Sequence, residues 1–187
     1  VNLGTCIFQM AGAITIGLTD RSRVSEPGAG SQAVDKPAQE IGANALMTKI
    51  WPGFRGAEGD GRAVVTNVPV KWDVKENKGI LWKVKVPLPG ASSPIVWENR
   101  VFVTGATVDR RQVYCYDIAN GTMLWEMDVD SAPGVVRAVP EVNEETGFAA
   151  STPVADGTNV YAIFANGDIT AIDFCAQKKW SVALGVP

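Results

Sequence analysis

Short hydrophobic runs rich in Val, Ile, Tyr, Phe and Trp alternate with polar turn segments at intervals of about ten residues from residue 79 onwards. The turns include Asp156-Gly157 and Asn166-Gly167, and the second of these tolerates the positive φ that a two-residue hairpin loop requires. No amphipathic helical period occurs in this half of the sequence, which favours an antiparallel meander over βαβ units. The predicted strands are Ile80–Val86, Pro94–Glu98, Val101–Thr104, Gln112–Asp117, Met123–Val129, Thr152–Ala155, Val160–Phe164, Asp168–Asp173 and Lys178–Leu184.

The predicted strands occur twice in the same order. Each copy opens with Ser-Ser-Pro or Ser-Thr-Pro, continues through a Val-Phe or Val-Tyr strand and a strand that ends in Asp, and closes on a strand that contains Trp. The closing tryptophans Trp82, Trp125 and Trp180 are 43 and 55 residues apart, a spacing typical of four-stranded propeller blades. A polar, proline-containing insertion over about residues 130–147 accounts for the longer interval.

A four-stranded sheet with two apolar faces needs neighbours on both sides, and a propeller supplies them by closing a ring of typically four to eight blades. Residues 80–187 provide two blades. We therefore expect an all-β, partial β-propeller of about two four-stranded antiparallel blades within residues 51–187, forming an incomplete ring. The rest of a longer protein, or partner chains, would complete it, and its exposed blade edges would allow oligomers to form.

Residues 1–50 have a different pattern and predict a leader or linker with an irregular structure. The apolar run over residues 6–18 is too short for a membrane-spanning helix of about 20 residues. It has the length of a signal-peptide core but lacks a preceding Lys or Arg, so a buried strand or a short helix is the alternative. Residues 19–37 resemble a linker, and Asp35 is placed to cap a short helix that runs to about Lys49.

Composition excludes several classes of function. The 187 residues carry a net charge of −3, so no surplus of cations exists for nucleic-acid binding. Histidine is absent, which removes Ser-His-Asp and Cys-His catalysis and His-ligated zinc. The cysteines Cys6, Cys115 and Cys175 contain no CxxC pair. One disulfide stays open, but we expect all three to be packing residues.

Two segments resemble the tryptophan-docking repeat of pyrroloquinoline quinone (PQQ) type propellers, AxDxxxGKxxW. The first, CYDIANGTMLW, has Asp117, Gly121 and Trp125 in register; the second, AIDFCAQKKW, keeps Asp173 and Trp180 but is one residue shorter and lacks the Gly. An Asp at this place can bind turn amides, a Gly supplies a left-handed turn position, and a Trp stacks between blades. We therefore assign all five residues structural, non-catalytic roles.

The segment WPGFRGAEGDG at residues 51–61 is similar to the opening WPxFRGxxGDG of exported bacterial PQQ-like propellers, especially planctomycete-type families. The resemblance covers about residues 51–187 and implies an eight-bladed or similar propeller in the periplasm or on the cell exterior. We expect Arg55 to pair with a carboxylate or carbonyl near the ring closure. Glu58 and Asp60 are too few ligands for calcium, which takes six to eight oxygens, so a structural turn is favoured.

The resemblance implies a non-catalytic PQQ-like propeller segment that serves as a binding or scaffold module of an exported protein. The alternative is the N-terminal part of a PQQ-dependent quinoprotein oxidoreductase. Quinone and calcium ligands in that family come from many blades and include an adjacent-cysteine disulfide, which this sequence lacks. We therefore expect no cofactor, metal site or catalytic residue, and we assign no cofactor-binding residue. The expected partner is a protein or the remaining blades, with no nucleic acid and no membrane span.

Two clusters of charged side chains are expected to lie in solvent and to take no part in catalysis. Glu144 and Glu145 could perform acid–base chemistry if one were desolvated, but a solvated charge run is far commoner. Asp109, Arg110 and Arg111 similarly predict a polar tip between strands.

Overall fold

Twelve strands and no helix make up the part of the chain that the structure, a computed structural model, describes: residues 7–10, 13–17, 50–63, 71–130 and 139–186. All nine strands predicted after residue 79 are present, with ends within two residues of their expected positions. The predicted short helix and linker lie outside the described residues. The strands are β1 Ile7–Met10, β2 Ala13–Gly17, β3 Ile50–Trp51, β4 Ile80–Lys85, β5 Ile95–Trp97, β6 Arg100–Ala106, β7 Arg111–Asp117, β8 Met123–Asp128, β9 Val154–Ala155, β10 Asn159–Ile163, β11 Asp168–Asp173 and β12 Lys178–Ala183.

The strands form three antiparallel sheets. A central sheet has the order β3-β5-β6-β7-β8, a C-terminal sheet has the order β12-β11-β10-β9, and an N-terminal sheet has the order β1-β2-β4. The central and C-terminal sheets confirm the two predicted blades of a partial propeller, although the central one gains a fifth strand, β3. The apolar run at residues 6–18 contains two strands, and β2 pairs with β4 in the register Ile14↔Val84. No helix long and apolar enough to cross a bilayer occurs among the described residues.

The loop between β10 and β11 differs from the predicted two-residue hairpin. Phe164 N–H donates to the Asp168 carbonyl (3.0 Å) and Gly167 N–H to the Phe164 carbonyl (2.9 Å), which leaves a three-residue loop. Only Gly167 of the Asn-Gly pair has a positive φ, at 80°. The Asn166 amide nitrogen instead donates to Asp168 Oδ2 at 2.6 Å. The predicted two-residue turn would require a positive φ at both Asn166 and Gly167. Asn166 does not have one, and its side chain instead bonds the first residue of β11.

The central sheet is buried on both faces, as the propeller interpretation requires. Successive residues of β6 alternate between two hydrophobic clusters. Val101 and Val103 face β4 and the indole of Trp82, whereas Phe102 faces the C-terminal sheet and contacts Phe174 at a ring-centroid distance of 5.1 Å. Because the side chains of a strand alternate in direction, one side of β6 packs toward the N-terminal sheet and the other side packs toward the C-terminal sheet.

A buried ion pair lies in the interface between the central and C-terminal sheets. Arg111 Nε at the start of β7 is 3.1 Å from Asp168 Oδ2 at the start of β11, and the two side chains are only 5% and 2% exposed. Arg111 Nε also donates to the Val129 carbonyl at 3.2 Å. The expectation of a polar tip over residues 109–111 is therefore wrong for Arg111, because tertiary packing supplies a carboxylate that no local pattern indicates. Arg110 does lie at the surface, paired with Asp128.

We predict that Arg111→Met and Asp168→Leu each lower the free energy of unfolding by about 3 kcal/mol, because each leaves a buried charge without its partner. The double variant Arg111→Met/Asp168→Leu should lose less than the sum of its single changes, since no buried charge remains. Urea unfolding followed by tryptophan fluorescence measures all of them.

Arg110→Met is the matched control, because it breaks an exposed pair worth about 0.5 kcal/mol. Equal losses at Arg110 and Arg111, or strictly additive losses in the double variant, would contradict the assignment.

Candidate functional site

The contact between the N-terminal and central sheets is made by the indole of Trp82 on β4. Its Nε1–H donates to the Ile118 carbonyl at 2.8 Å, in the turn between β7 and β8. The ring covers Gly121, where a Cβ atom would lie only 2.6 Å from Cε3 of the indole. Gly121 also has a φ of 73°, so its backbone conformation and the approach of the ring both require glycine.

Asp117 organises the turn that receives this indole. Its Oδ1 accepts the Ala119 N–H at 2.8 Å, and its carbonyl accepts the Gly121 N–H at 2.9 Å. Its own N–H donates to the Thr122 carbonyl at 2.8 Å. With the inner amides bound in this way, the Ile118 carbonyl points outward and is available to the neighbouring sheet.

The same arrangement recurs one sheet further along the chain. Trp125 on β8 donates from Nε1 to the Phe174 carbonyl at 3.1 Å, in the turn between β11 and β12. Asp173 holds that turn, because its Oδ1 accepts the N–H groups of Cys175 (2.9 Å) and Gln177 (2.8 Å). The pKa of Asp173 is lowered, first by the hydrogen bond from Lys179, whose Nζ lies 2.7 Å from Oδ2, and then by the Gln177 amide.

The shorter second turn still needs a left-handed residue, and Ala176 supplies it with a φ of 65°. Gly121 therefore has a structural counterpart that the sequence pattern missed. The carbonyls of Ile118 and Phe174 were also missed, because they are main-chain acceptors at positions where the repeat fixes no residue type. The constant spacing of residues after each repeat Asp is the signal that could have located them.

Trp180 occupies the third equivalent position, but none of the described residues accepts a hydrogen bond from its indole. Trp180 is 43% exposed, and its ring lies 6.1 Å from the Tyr161 ring between centroids, with the two planes tilted by 40°. Strand register puts Trp180, Tyr161 and Val154 on the face of the C-terminal sheet turned away from the central sheet. We call this the outer face, and Val154, Val182 and Leu184 are exposed on or beside it. The five residues assigned by sequence thus divide between two interfaces, one with Asp117 and Gly121 and one with Trp125 and Asp173, and this open face, which carries Trp180.

The other candidate residues lie apart from these contacts. Asp60 Oδ1 accepts the Arg62 N–H at 2.8 Å within its own turn, and Glu58 is exposed. Glu144 and Glu145 are exposed and line, together with Lys85, an open cleft of about 390 Å³. No group of three or more carboxylate or cysteine side chains suited to a cation occurs among the described residues.

Burial suppresses the reactivity of the central side chains. It raises the pKa of the Cys115 thiol and of the Tyr114 phenol to about 12 each, so both keep their protons at neutral pH. Tyr114 Oη–H donates to Gln112 Oε1 at 2.6 Å and accepts the Leu88 N–H at 3.1 Å. Cys115 is a packing residue as expected, but Cys175 is exposed, because the docking turn directs it to solvent. Both are free thiols, and Cys6 lies outside the described residues.

We predict that Trp125→Phe lowers the free energy of unfolding by about 2 kcal/mol, from one lost hydrogen bond and a partly empty indole site. Trp180→Phe is the matched control at the equivalent repeat position, and it should change stability by less than about 0.5 kcal/mol because Trp180 is 43% exposed and its indole donates no hydrogen bond to the described residues. Urea unfolding measures both variants. Similar losses for the two would show that the interface contact contributes nothing specific.

A second prediction concerns pH and the turn between β9 and β10. Hydrogen bonds from the Asn159 N–H (2.7 Å), the Tyr161 hydroxyl (2.7 Å) and the Thr158 N–H (2.8 Å) lower the pKa of Asp156 from 3.8 to about 2. The stabilisation this gives is present above the unfolded-state pKa near 4 and is lost as pH falls through about 2.

Carbon-13 NMR of the Asp156 carboxyl should therefore show a titration well below pH 3, and Tyr161→Phe should move it upward. An unchanged pKa in Tyr161→Phe, or a wild-type value near 4, would contradict this account.

The sequence was compared with known families and structures. A family model described as outer membrane protein assembly factor BamB matches residues 31–185. Among solved structures, BamB from Moraxella catarrhalis matches with 19% sequence identity and a TM-score of 0.38, over 56% of this chain and 27% of that one. No match is found among curated proteins. The matched part therefore spans about a quarter of the Moraxella structure. Because the family model covers most of the sequence, the chain belongs to the PQQ-like β-propeller family that this BamB model represents.

Proposed function

We propose that this chain is a non-catalytic propeller segment that binds protein through the outer face of its C-terminal sheet. The observation that carries the proposal is Trp180, which repeats the position of two indoles that each reach a neighbouring sheet yet is itself 43% exposed. An apolar sheet face with this exposure is typical of an interaction site.

The occupant we propose is another sheet of the same kind, carried by further propeller blades or by a second protein chain. Such a sheet would present an Asp-anchored turn with an outward carbonyl, as the Asp117 and Asp173 turns do for Trp82 and Trp125. Trp180 would donate to that carbonyl, and Val154 and Val182 would be covered. On this proposal, Asp117, Gly121, Trp125, Asp173 and Trp180 all serve docking between sheets.

A scaffold role is supported further by the absence of a reactive constellation among the described side chains. Cys115 is buried with a raised pKa, and the carboxylates form no group of three or more that could hold a cation. The family description, an assembly factor of outer membrane proteins, supports a location in the periplasm. Recovery of the full-length protein from the cytoplasm of its own cells would contradict export.

The test uses the chain at rising concentration, because a second copy offers an apolar sheet face on which the outer face can pack, although its Ile118 and Phe174 carbonyls are already bound. Sedimentation velocity should show self-association above roughly 10 µM, a weak contact by the scale of protein interfaces. Trp180→Glu should abolish it by placing a charge in an apolar contact. Val108→Lys, at an exposed apolar side chain on the loop between β6 and β7, is the matched control and should leave it unchanged.

A monomer at every concentration, or association that survives Trp180→Glu, would overturn the proposed surface. The enzyme alternative is tested on the same sample by titration with PQQ and calcium. Saturable binding of one equivalent would overturn the non-catalytic assignment.

A further inference from the structure

The tip of the turn after β3 exposes an aromatic ring and an unpaired cation side by side. Phe54 is 67% exposed, and Arg55 next to it is also exposed. Among the residues that the structure describes, no carboxylate or carbonyl partners the Arg55 guanidinium. The expected pairing of Arg55 near the ring closure is therefore not seen within this part of the chain. Arg62 on the same turn, by contrast, has Asp60 as its partner.

The turn that carries these residues is firmly anchored on both sides. Gly56 N–H donates to the Gly53 carbonyl at 3.1 Å, and Gly61 N–H donates to the Arg55 carbonyl at 2.9 Å. The Pro52 carbonyl accepts the Ala155 N–H of β9 at 2.8 Å, which ties the turn to the C-terminal sheet. A Cβ atom at Gly56 would lie 2.8 Å from the Trp51 ring, so the indole fills the space beneath the tip.

Arg55 holds an unfavourable backbone conformation at this place, with a φ of 66°. A long side chain is less favourable in the left-handed region than in the ordinary helical or extended regions, and glycine would avoid that strain. The glycines at 53, 56, 59 and 61 show that this segment uses glycine freely. Strained residues of this kind concentrate at binding and active sites, and no salt bridge or hydrogen bond of the Arg55 side chain within the described part of the chain explains its presence.

We infer that Phe54 and Arg55 form a docking site for an acidic peptide segment of a partner protein. The Arg55 fork binds a carboxylate through two parallel hydrogen bonds, and the Phe54 ring packs against an apolar side chain next to it. Exposed Arg and aromatic residues carry much of the energy of protein interfaces. The rigid turn fixes their relative position, so little order has to be gained on binding.

The probe is the peptide acetyl-Leu-Asp-Phe-Glu-Leu-amide, titrated into the nitrogen-15-labelled full chain and followed by the arginine Nε–H signals and the backbone amides of residues 53–61. Saturable shifts with a Kd on the order of 1 mM are expected, as suits a single hot-spot contact. The Asn/Gln version of the peptide should bind at least about fivefold more weakly, because the charge-assisted hydrogen bonds are lost.

The decisive variant is Arg55→Gly. It should weaken peptide binding at least about tenfold while leaving the melting temperature unchanged or raising it by up to about 3 °C, since the left-handed strain is relieved. Arg62→Gly, the same change on the same turn, should alter peptide binding less than twofold. Phe54→Ala should weaken binding about fivefold.

Three outcomes would overturn the inference: unchanged binding in Arg55→Gly, an equal loss in Arg62→Gly, or a fall in melting temperature of more than about 2 °C in Arg55→Gly. The last would make Arg55 a structural residue. Trp180→Glu should leave peptide binding unchanged, so failure of this site is distinguishable from failure of the outer-face proposal.

Discussion

One contact organises the described fold: an indole N–H from one sheet that reaches a main-chain carbonyl in a turn of the next. The turn must be held by an Asp so that its inner amides are bound and one carbonyl points outward. It also contains a left-handed residue, which is Gly121 in one case and Ala176 in the other, and Gly121 lies directly beneath the Trp82 ring. The hydrogen bond is modest in energy, but the indole adds a large buried area and a fixed orientation, so each contact sets the position of one sheet on another.

The remaining interface energy is apolar, with one exception. Alternate residues of β6 and β7 are buried on both sides, which makes the central sheet the shared wall of two cores. The exception is the Arg111–Asp168 pair, whose members are almost fully removed from water. A buried pair of this kind adds little net stability, but it disfavours arrangements that would leave either charge alone. The pair therefore restricts the relative positions in which the central and C-terminal sheets can pack.

The two open surfaces have different physical characters. The outer face of the C-terminal sheet exposes Trp180, Val154 and Val182 and repeats the position of the indoles in the interfaces already formed, which suits another sheet. The tip at Phe54 and Arg55 is small, charged and rigid, which suits a short segment with a carboxylate. On the two proposals above, both surfaces of this PQQ-like propeller segment bind protein.

The sequence by itself determined the all-β class, the nine strands after residue 79 and the repeat of indoles, because hydrophobic runs, turn residues and the spacing of Trp82, Trp125 and Trp180 are local or periodic signals. Tertiary structure decided the contacts between residues far apart in the sequence and the backbone conformations of the turns, which a periodic pattern does not specify. Arg111 and Asp168 stand 57 positions apart in the sequence, and each resembles a surface charge until two sheets bring them together. The Ile118 and Phe174 carbonyls are backbone features to which side-chain identity is nearly indifferent, and Ala176 adopts a left-handed conformation that its residue type does not favour. The strain at Arg55 likewise depends on a turn whose shape is fixed by the sheet beside it.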